Sequence, residues 1–326
     1  LDLITYQKAF DDHLKEALKQ KISGNPASLY APVQYILKIG GKRLRPVLTL
    51  ISCDIFSGSF NKALNASLAI EMFHNFTLIH DDIMDNADLR RGQPTVHEKW
   101  DVNTGILSGD ALMILAYQFF EPYEGEIFKG IISLFNETAI RVCEGQQMDM
   151  DFEKRKDVTI PEYIKMIDLK TGVLVASALK MGAIIAHAAP WQAQLIYNYG
   201  LNLGIAFQLQ DDYLDTFGDD SFGKRIGGDI LEGKKTFLVL KTMEIANQED
   251  LMELNEILSS REKSTEEDRI QRARMIFMHY GVHNLIGEEI KRFIDLSFDC
   301  VSKTDLPEAK KEQFLAFGNY LMGRNT

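Results

Sequence analysis

The sequence predicts an all-α protein of long packed helices, on three observations. Apolar residues recur every three or four positions, as in Leu68, Met72, Phe73, Phe76 and Ile79, which is the helical period. Strict apolar–polar alternation over five or more residues is hard to find. The eight prolines fall mostly at segment edges. Taken in order, the period gives helices over 2–22 and, after Pro26, 28–39. Pro46 opens 46–57, and the apolar run around Met72 spans 61–87. Pro122 separates 104–120 from 126–151, Pro161 opens 161–168, and a second apolar run gives 172–187. Pro190 opens 191–216. Beyond a glycine-rich stretch, TFGDDSFGKRIGGDILEGKK (216–235), which reads as a mobile polar loop, come 234–246, 249–259, 266–280, 282–301 and, opened by Pro307, 307–322.

At 326 residues, 45% hydrophobic and 25% charged, the chain can build a large core. Length suggests roughly two domains. No Pro/Ser-rich linker, low-complexity run or composition shift divides it, so a single domain over 1–326 is expected. Its 36 Lys and Arg against 47 Asp and Glu give a formal charge of −11. That balance argues against nucleic acid or an anionic membrane surface as partner, because binding there rests on clustered basic charge. Cys53, Cys143 and Cys300 lie far apart with no CxxC, which suits thiols in a reducing compartment. The most apolar stretch, VLVASALKMGAIIAHAA, is interrupted by Lys180 and falls short of the roughly 18 uninterrupted residues of a membrane helix. No apolar signal core opens the chain. A cytoplasmic protein without a membrane span is expected.

The sharpest signal is a pattern that occurs twice, HDDIMD at 80–85 and QDDYLD at 210–215, each containing DDxxD. On a helix Asp81 and Asp85 stand one turn apart on one face, as do Asp211 and Asp215. Each cluster follows a nearly uncharged segment, NFTLI or GIAFQL. Like charges at the end of an apolar helix repel and need a counter-charge. One such motif alone would read as a solvated acidic face; two in matched contexts point to metal binding. All-oxygen ligands favour a hard cation, and the shortage of further ligands favours Mg²⁺ shared with a phosphate-bearing substrate over a closed calcium cage.

A diphosphate held by Mg²⁺ also needs cationic side chains. GGKRLRP (40–46) puts Lys42, Arg43 and Arg45 after a Gly-Gly turn at a helix start, where free backbone N–H groups favour anions. On its own it reads rather as a helix stop followed by a solvated basic turn. Arg90 and Arg91 follow the first cluster in DLRRGQPT, Lys170 stands in KTG, and His74 lies two helical turns before Asp81. GDILEGKKT (228–236) nearly matches a phosphate loop, but Lys235 takes the Ser/Thr position and no strand precedes it.

Together GGKRLRP, HDDIMD…LRRG, KTG, FQLQDDYLD and the GK…GGDILEGKK loop resemble the trans-isoprenyl diphosphate synthases, the polyprenyl synthetase family, in order from about residue 30 to 240. The resemblance implies one domain of helices around a deep central cavity, normally a homodimer. It implies a transferase that condenses isopentenyl diphosphate with an allylic diphosphate. Asp81, Asp85 and Asp211, supported by Asp82 and Asp215, would hold Mg²⁺, about three ions per site with substrate bound. Arg90, Lys170, Lys224 and Lys234 would contact the allylic diphosphate. Lys42, Arg45, His74 and Arg91 would bind isopentenyl diphosphate. Thr171 and Gln208 would place oxygen dipoles near the forming carbocation. The loop departs from the family pattern at Arg225, an apparent insertion beside Lys224.

In this family, side chains below the first cluster limit product length. Phe76, five residues before Asp81, is bulky, Thr77 is small, and the cluster carries no two-residue insertion. That combination resembles synthases making C20 geranylgeranyl diphosphate, with C15 farnesyl diphosphate second. Phe76 falls about 140° from Asp81 on a helical wheel, so its place in the cavity wall comes from the resemblance alone. Two alternatives differ in what they require. A class I terpene cyclase would replace the second DDxxD by an Asn/Ser/Glu motif, and a non-catalytic helical subunit would carry a degraded cluster.

Overall fold

The computed structural model describes residues 2–218, 226–259 and 264–323. The helices run α1 (Leu3–Gln20), α2 (Ala27–Ile39), α3 (Leu44–Ser57) and α4 (Leu64–Met84), the last preceded by a 3-10 turn at Phe60–Ala63. Strands β1 (Leu89–Arg90) and β2 (Gln93–Pro94) form a minimal hairpin, followed by α5 (Val96–Lys99), α6 (Val102–Gln118), α7 (Gly125–Lys154) and α8 (Ile160–Ile167). A π-helical turn, Asp168–Gly172, leads into α9 (Val173–Ile185) and α10 (Pro190–Phe217). The rest comprises α11 (Gly228–Glu232), α12 (Phe237–Ile245), α13 (Gln248–Leu258), α14 (Glu266–His279), α15 (Val282–Ser302) and α16 (Glu308–Met322). Among the described residues no helix is long and apolar enough to cross a membrane. Cys53, Cys143 and Cys300 form no disulfide.

The chain forms two compact units. The first comprises Leu1–Thr138 and Ser177–Tyr197, the second Ala139–Ala176 and Asn198–Thr326. In the first, α4 is apolar on nearly every face and packs mainly against α6 and α3. Its Leu68, Ile70, Met72 and Phe73 are wholly buried, each contributing roughly 1.5–3 kcal/mol. Phe135 gathers the edges of Phe73, Tyr117 and Phe120 at centroid distances of 5.3, 5.1 and 5.1 Å, the preferred aromatic geometry.

The end of α4 positions the first aspartate cluster. Asn86 takes the left-handed conformation, and the N–H groups of Asn86 and Ala87 bond back to the carbonyls of Ile83 and Asp82 at 3.3 and 2.9 Å. This Schellman closure stops the helix at Met84, short of the predicted 87. The hairpin was not expected. Its two-residue loop, Arg91-Gly92, has φ of +53° and +73°, as a type I′ turn requires. Strands two residues long leave no alternation to read.

The second unit has its own core, with Leu209, Leu238, Phe277 and Ile286 fully buried. A capping box starts α8: the Thr159 backbone N–H donates to Glu162 at 2.9 Å and the Thr159 hydroxyl accepts from the Glu162 N–H. The π turn then puts Lys170 and Thr171 on an extra-wide coil, a form frequent at functional sites. It nests against α7 at Gly145, where a Cβ would come 2.4 Å from the Lys170 nitrogen. The predicted loop at 216–235 contains α11. The predicted helix start at 234 moves to 237 because Lys234 is drawn back, its N–H donating to the Asp229 carbonyl at 2.9 Å. No phosphate-loop geometry forms there, since α11 and not a strand leads into Gly233.

Candidate active site

In the first unit the basic motif splits into inward and outward side chains. Arg43, at the N-cap of α3 with φ +48°, is 8% exposed; it donates to Glu71 and, at 2.5 Å, to the Leu37 carbonyl. It therefore braces the turn between α2 and α3. Lys42 is exposed, with its carbonyl held by Gln7 at 3.3 Å. Arg45 meets His74 Nε2 at 3.2 Å, and its own Nε is buried without a hydrogen-bond partner. Gly41, at φ +138°, lies under Arg91: a Cβ there would come 2.5 Å from the guanidinium carbon.

Burial first, then the charges of Arg45, Arg91, Arg90 and Arg43, hold the His74 imidazole well below its usual range, so it is neutral. Burial brings Arg45 down to about 10, with Arg91 pushing the same way and Glu71 opposing. Arg91 is lowered too, again by burial first. Four arginines thus converge on two buried acids, Glu71 and Asp82. Cationic excess and an orphaned buried donor suit an anion with several oxygens.

Asp82 is 1% exposed and accepts from Arg90 through both oxygens, at 2.8 and 2.9 Å from Nε. The structure thus joins two residues that the resemblance set apart, one on metal and one on diphosphate. Asp81 is partly buried and Asp85, the C-cap, is exposed. The last turn of α4 holds no basic residue. Below the cluster, Phe76 packs on Phe73 and His80 at centroid distances of 5.6 and 4.7 Å. The Thr77 hydroxyl donates to the His74 carbonyl at 2.8 Å.

The second unit holds a cavity of about 520 Å³. Lys170, Thr171, Gln208, Asp211, Asp215 and Lys234 all line it. Lys224, with Arg225, lies outside the described residues. Lys170 donates to Asp149 at 2.5 Å. Lys234 is 2.7 Å from Glu232 and 3.6 Å from Asp229. Burial disfavours the Lys234 ammonium, but Asp229, Glu232 and Asp149 outweigh it and hold the pKa above its ordinary range. Asp215 accepts the Asp229 N–H at 3.0 Å.

Asp212 is 4% exposed and belongs to a chain of hydrogen bonds. Thr171 donates to Gln208 Oε1 at 3.1 Å, Gln208 Nε2 to Asp212 Oδ1 at 3.0 Å, and the Tyr163 hydroxyl to Asp212 Oδ2. Burial, then Asp229, pushes the Asp212 carboxyl well up, against the two donors. Burial, then Asp212, likewise raises Tyr163.

Both clusters sit in the last turns of helices with no basic residue there, against the negative end of the helix dipole. Among the described residues no three His, Cys, Asp or Glu form a ready metal cage. The pull towards a cation comes from accumulated charge on oxygen donors, which fits Mg²⁺ completed by phosphate oxygens. Sequence reasoning passed over Glu71, Asp149, Tyr163, Asp212 and Asp229. Glu71 had a signal, as a lone acid in the apolar run ASLAIEMF, and Asp212 and Asp229 stand inside QDDYLD and GGDILEGKK; Asp149 and Tyr163 had none beyond their residue type.

The polyprenyl synthetase family matches residues 26–276. A solved structure of a geranylgeranyl pyrophosphate synthase superposes with a TM-score of 0.93 at 47% identity, over 100% of both chains. A geranylgeranyl diphosphate synthase of Saccharolobus solfataricus is 36% identical over 97% of this chain and 96% of its own. A geranylfarnesyl diphosphate synthase of Natronomonas pharaonis is 38% identical over 70% of this chain and 72% of its own. The chain belongs to the polyprenyl synthetase family.

Proposed function

We propose that the protein is a Mg²⁺-dependent trans-prenyltransferase that joins isopentenyl diphosphate to an allylic diphosphate, with C20 geranylgeranyl diphosphate as main product and C15 second. The observation that carries this reading is the pair of DDxxD segments, each ending a helix that offers no counter-charge of its own. We assign one catalytic domain over 1–326, working as a cytoplasmic homodimer. The exposed Val102, Ile106, Leu107 and Ile114 on α6 support a partner surface there.

Asp81, Asp85 and Asp211, with Asp215 in support, would hold Mg²⁺, about three ions with substrate bound. The metal would neutralise the charge that grows on the leaving diphosphate. Lys170 and Lys234, now paired with Asp149, Asp229 and Glu232, would turn to that diphosphate, as Lys224 would. Arg90, braced by Asp82, would join them. Lys42, Arg45 and Arg91 would bind the diphosphate of isopentenyl diphosphate, with neutral His74 donating a hydrogen bond to it or to its ligands.

The allylic carbon–oxygen bond breaks with its electron pair leaving on diphosphate. The double bond of isopentenyl diphosphate supplies the pair for the new carbon–carbon bond, and the proton then lost goes to the released diphosphate. Thr171 Oγ1 and Gln208 Oε1 would stabilise the cation between those steps. Phe76, wedged between Phe73 and His80, would close the space available to the growing chain.

Incubation with Mg²⁺, isopentenyl diphosphate and the C5, C10 or C15 allylic diphosphates, with products separated by length, tests the reading. Elongation ending at C20 is expected. No elongation with any primer would overturn the function, and a product beyond C20 from the wild type would overturn the role of Phe76.

A further inference from the structure

The direction of the hydrogen bonds around Asp212 has a chemical meaning. Asp212 Oδ2 takes its hydrogen from Tyr163, and Oδ1 takes one from Gln208 Nε2 at 3.0 Å. With its NH₂ end turned to Asp212, Gln208 has its carbonyl oxygen at the other end of the amide, where the Thr171 hydroxyl donates to it at 3.1 Å. Thr171 has then used its only hydrogen. The three hydrogen bonds all run towards Asp212, and lone pairs remain on Thr171 Oγ1 and Gln208 Oε1. All four residues line the same cavity. Tyr163 and Asp212 are 2% and 4% exposed, so water does not compete for the relay.

We infer that Tyr163 is a positioning residue: by holding Asp212 it fixes the amide of Gln208, so that Gln208 and Thr171 present oxygen, and not N–H or O–H, to the reacting carbon. The inference rests on the prenyltransferase reading. An amide turned the other way would aim the positive end of its dipole at a developing cation and oppose the reaction. The diphosphate-binding side chains are not part of this chain of bonds. Loss of the tyrosine hydroxyl therefore acts on the chemical step and not on substrate binding.

Tyr163→Phe is expected to lower kcat about tenfold while KM for both diphosphates changes less than about twofold. The decisive readout is a double-mutant cycle. If Tyr163 acts through Gln208, adding Tyr163→Phe to Gln208→Ala lowers kcat no further. Asp212→Asn, close in shape to the native side chain, should behave in the same way, and thermal melting confirms that each variant is folded. An unchanged kcat in both Tyr163→Phe and Asp212→Asn, a loss seen mainly in KM, or losses that multiply with Gln208→Ala would each overturn the inference while leaving an active wild type. A wild type that elongates no primer would overturn the prenyltransferase reading beneath it.

Discussion

The two DDxxD segments share one pattern at two helix ends, yet the middle aspartate is treated differently in each unit. In α4, Asp82 is locked to the Arg90 guanidinium. In α10, Asp212 is held by two neutral donors, Tyr163 and Gln208. The surroundings explain the choice. The first unit collects arginines, so its buried acid finds a cation and its buried base, His74, is driven neutral. The second collects carboxylates around its cavity, so among the described residues its buried acid is held by neutral donors and its carboxyl is pushed up by burial and by Asp229. One motif thus carries outer aspartates common to both units and an inner aspartate adapted to the local sign of charge.

The outer positions should show the largest effects and behave alike. Asp81→Ala and Asp211→Ala are each expected to lower kcat by about 10³-fold or more with the circular dichroism spectrum unchanged. A severe loss in only one would break the equivalence of the two ends. The inner positions should diverge. Asp82→Asn leaves the partly exposed Arg90 guanidinium facing a neutral amide and should lower the free energy of unfolding by about 2 kcal/mol, read from urea melts.

His74 sharpens the contrast through pH. Its folded pKa is depressed, so the unfolded chain binds the proton first as pH falls below the ordinary value of 6.5. Stability is then fully present above pH 6.5 and declines as pH falls towards the folded pKa, by up to about 1.4 kcal/mol per unit. His74→Gln should flatten that acid limb in urea melts run with a chelator. An unchanged limb would mean that His74 is not the group held neutral by the arginines.

The helical period made most of the fold legible, because long amphipathic or fully apolar segments carry their own signal. The hairpin at 89–94 did not, since a type I′ turn with Arg at its first position departs from the usual Asn-Gly or Asp-Gly signature. Helix α11 was hidden inside a glycine-rich stretch. Spacing alone singled out the outer aspartates. The inner ones it did not, because their partners come from elsewhere in the chain: Tyr163 lies 49 residues from Asp212, and Arg90 reaches Asp82 only through the hairpin. Arg43 shows the same limit, for its motif announces a cation but not that Glu71 turns it inward.

The smallest effect is the most discriminating. Asp212→Asn keeps an acceptor for the Tyr163 hydroxyl and removes a charge that burial and Asp229 disfavour. Its free energy of unfolding at pH 7 should change by less than about 1 kcal/mol, well below the loss in Asp82→Asn. The sign with pH is opposite to that of His74. A carboxyl raised above its ordinary 3.8 contributes stability that is present below that value and lost as pH rises through the folded pKa. Wild type should therefore lose ground to Asp212→Asn as pH is raised from about 4, in chelator and read by urea melts. A variant destabilised as much as Asp82→Asn, or a difference that does not move with pH, would show that the inner aspartates of the two units are held by the same means after all.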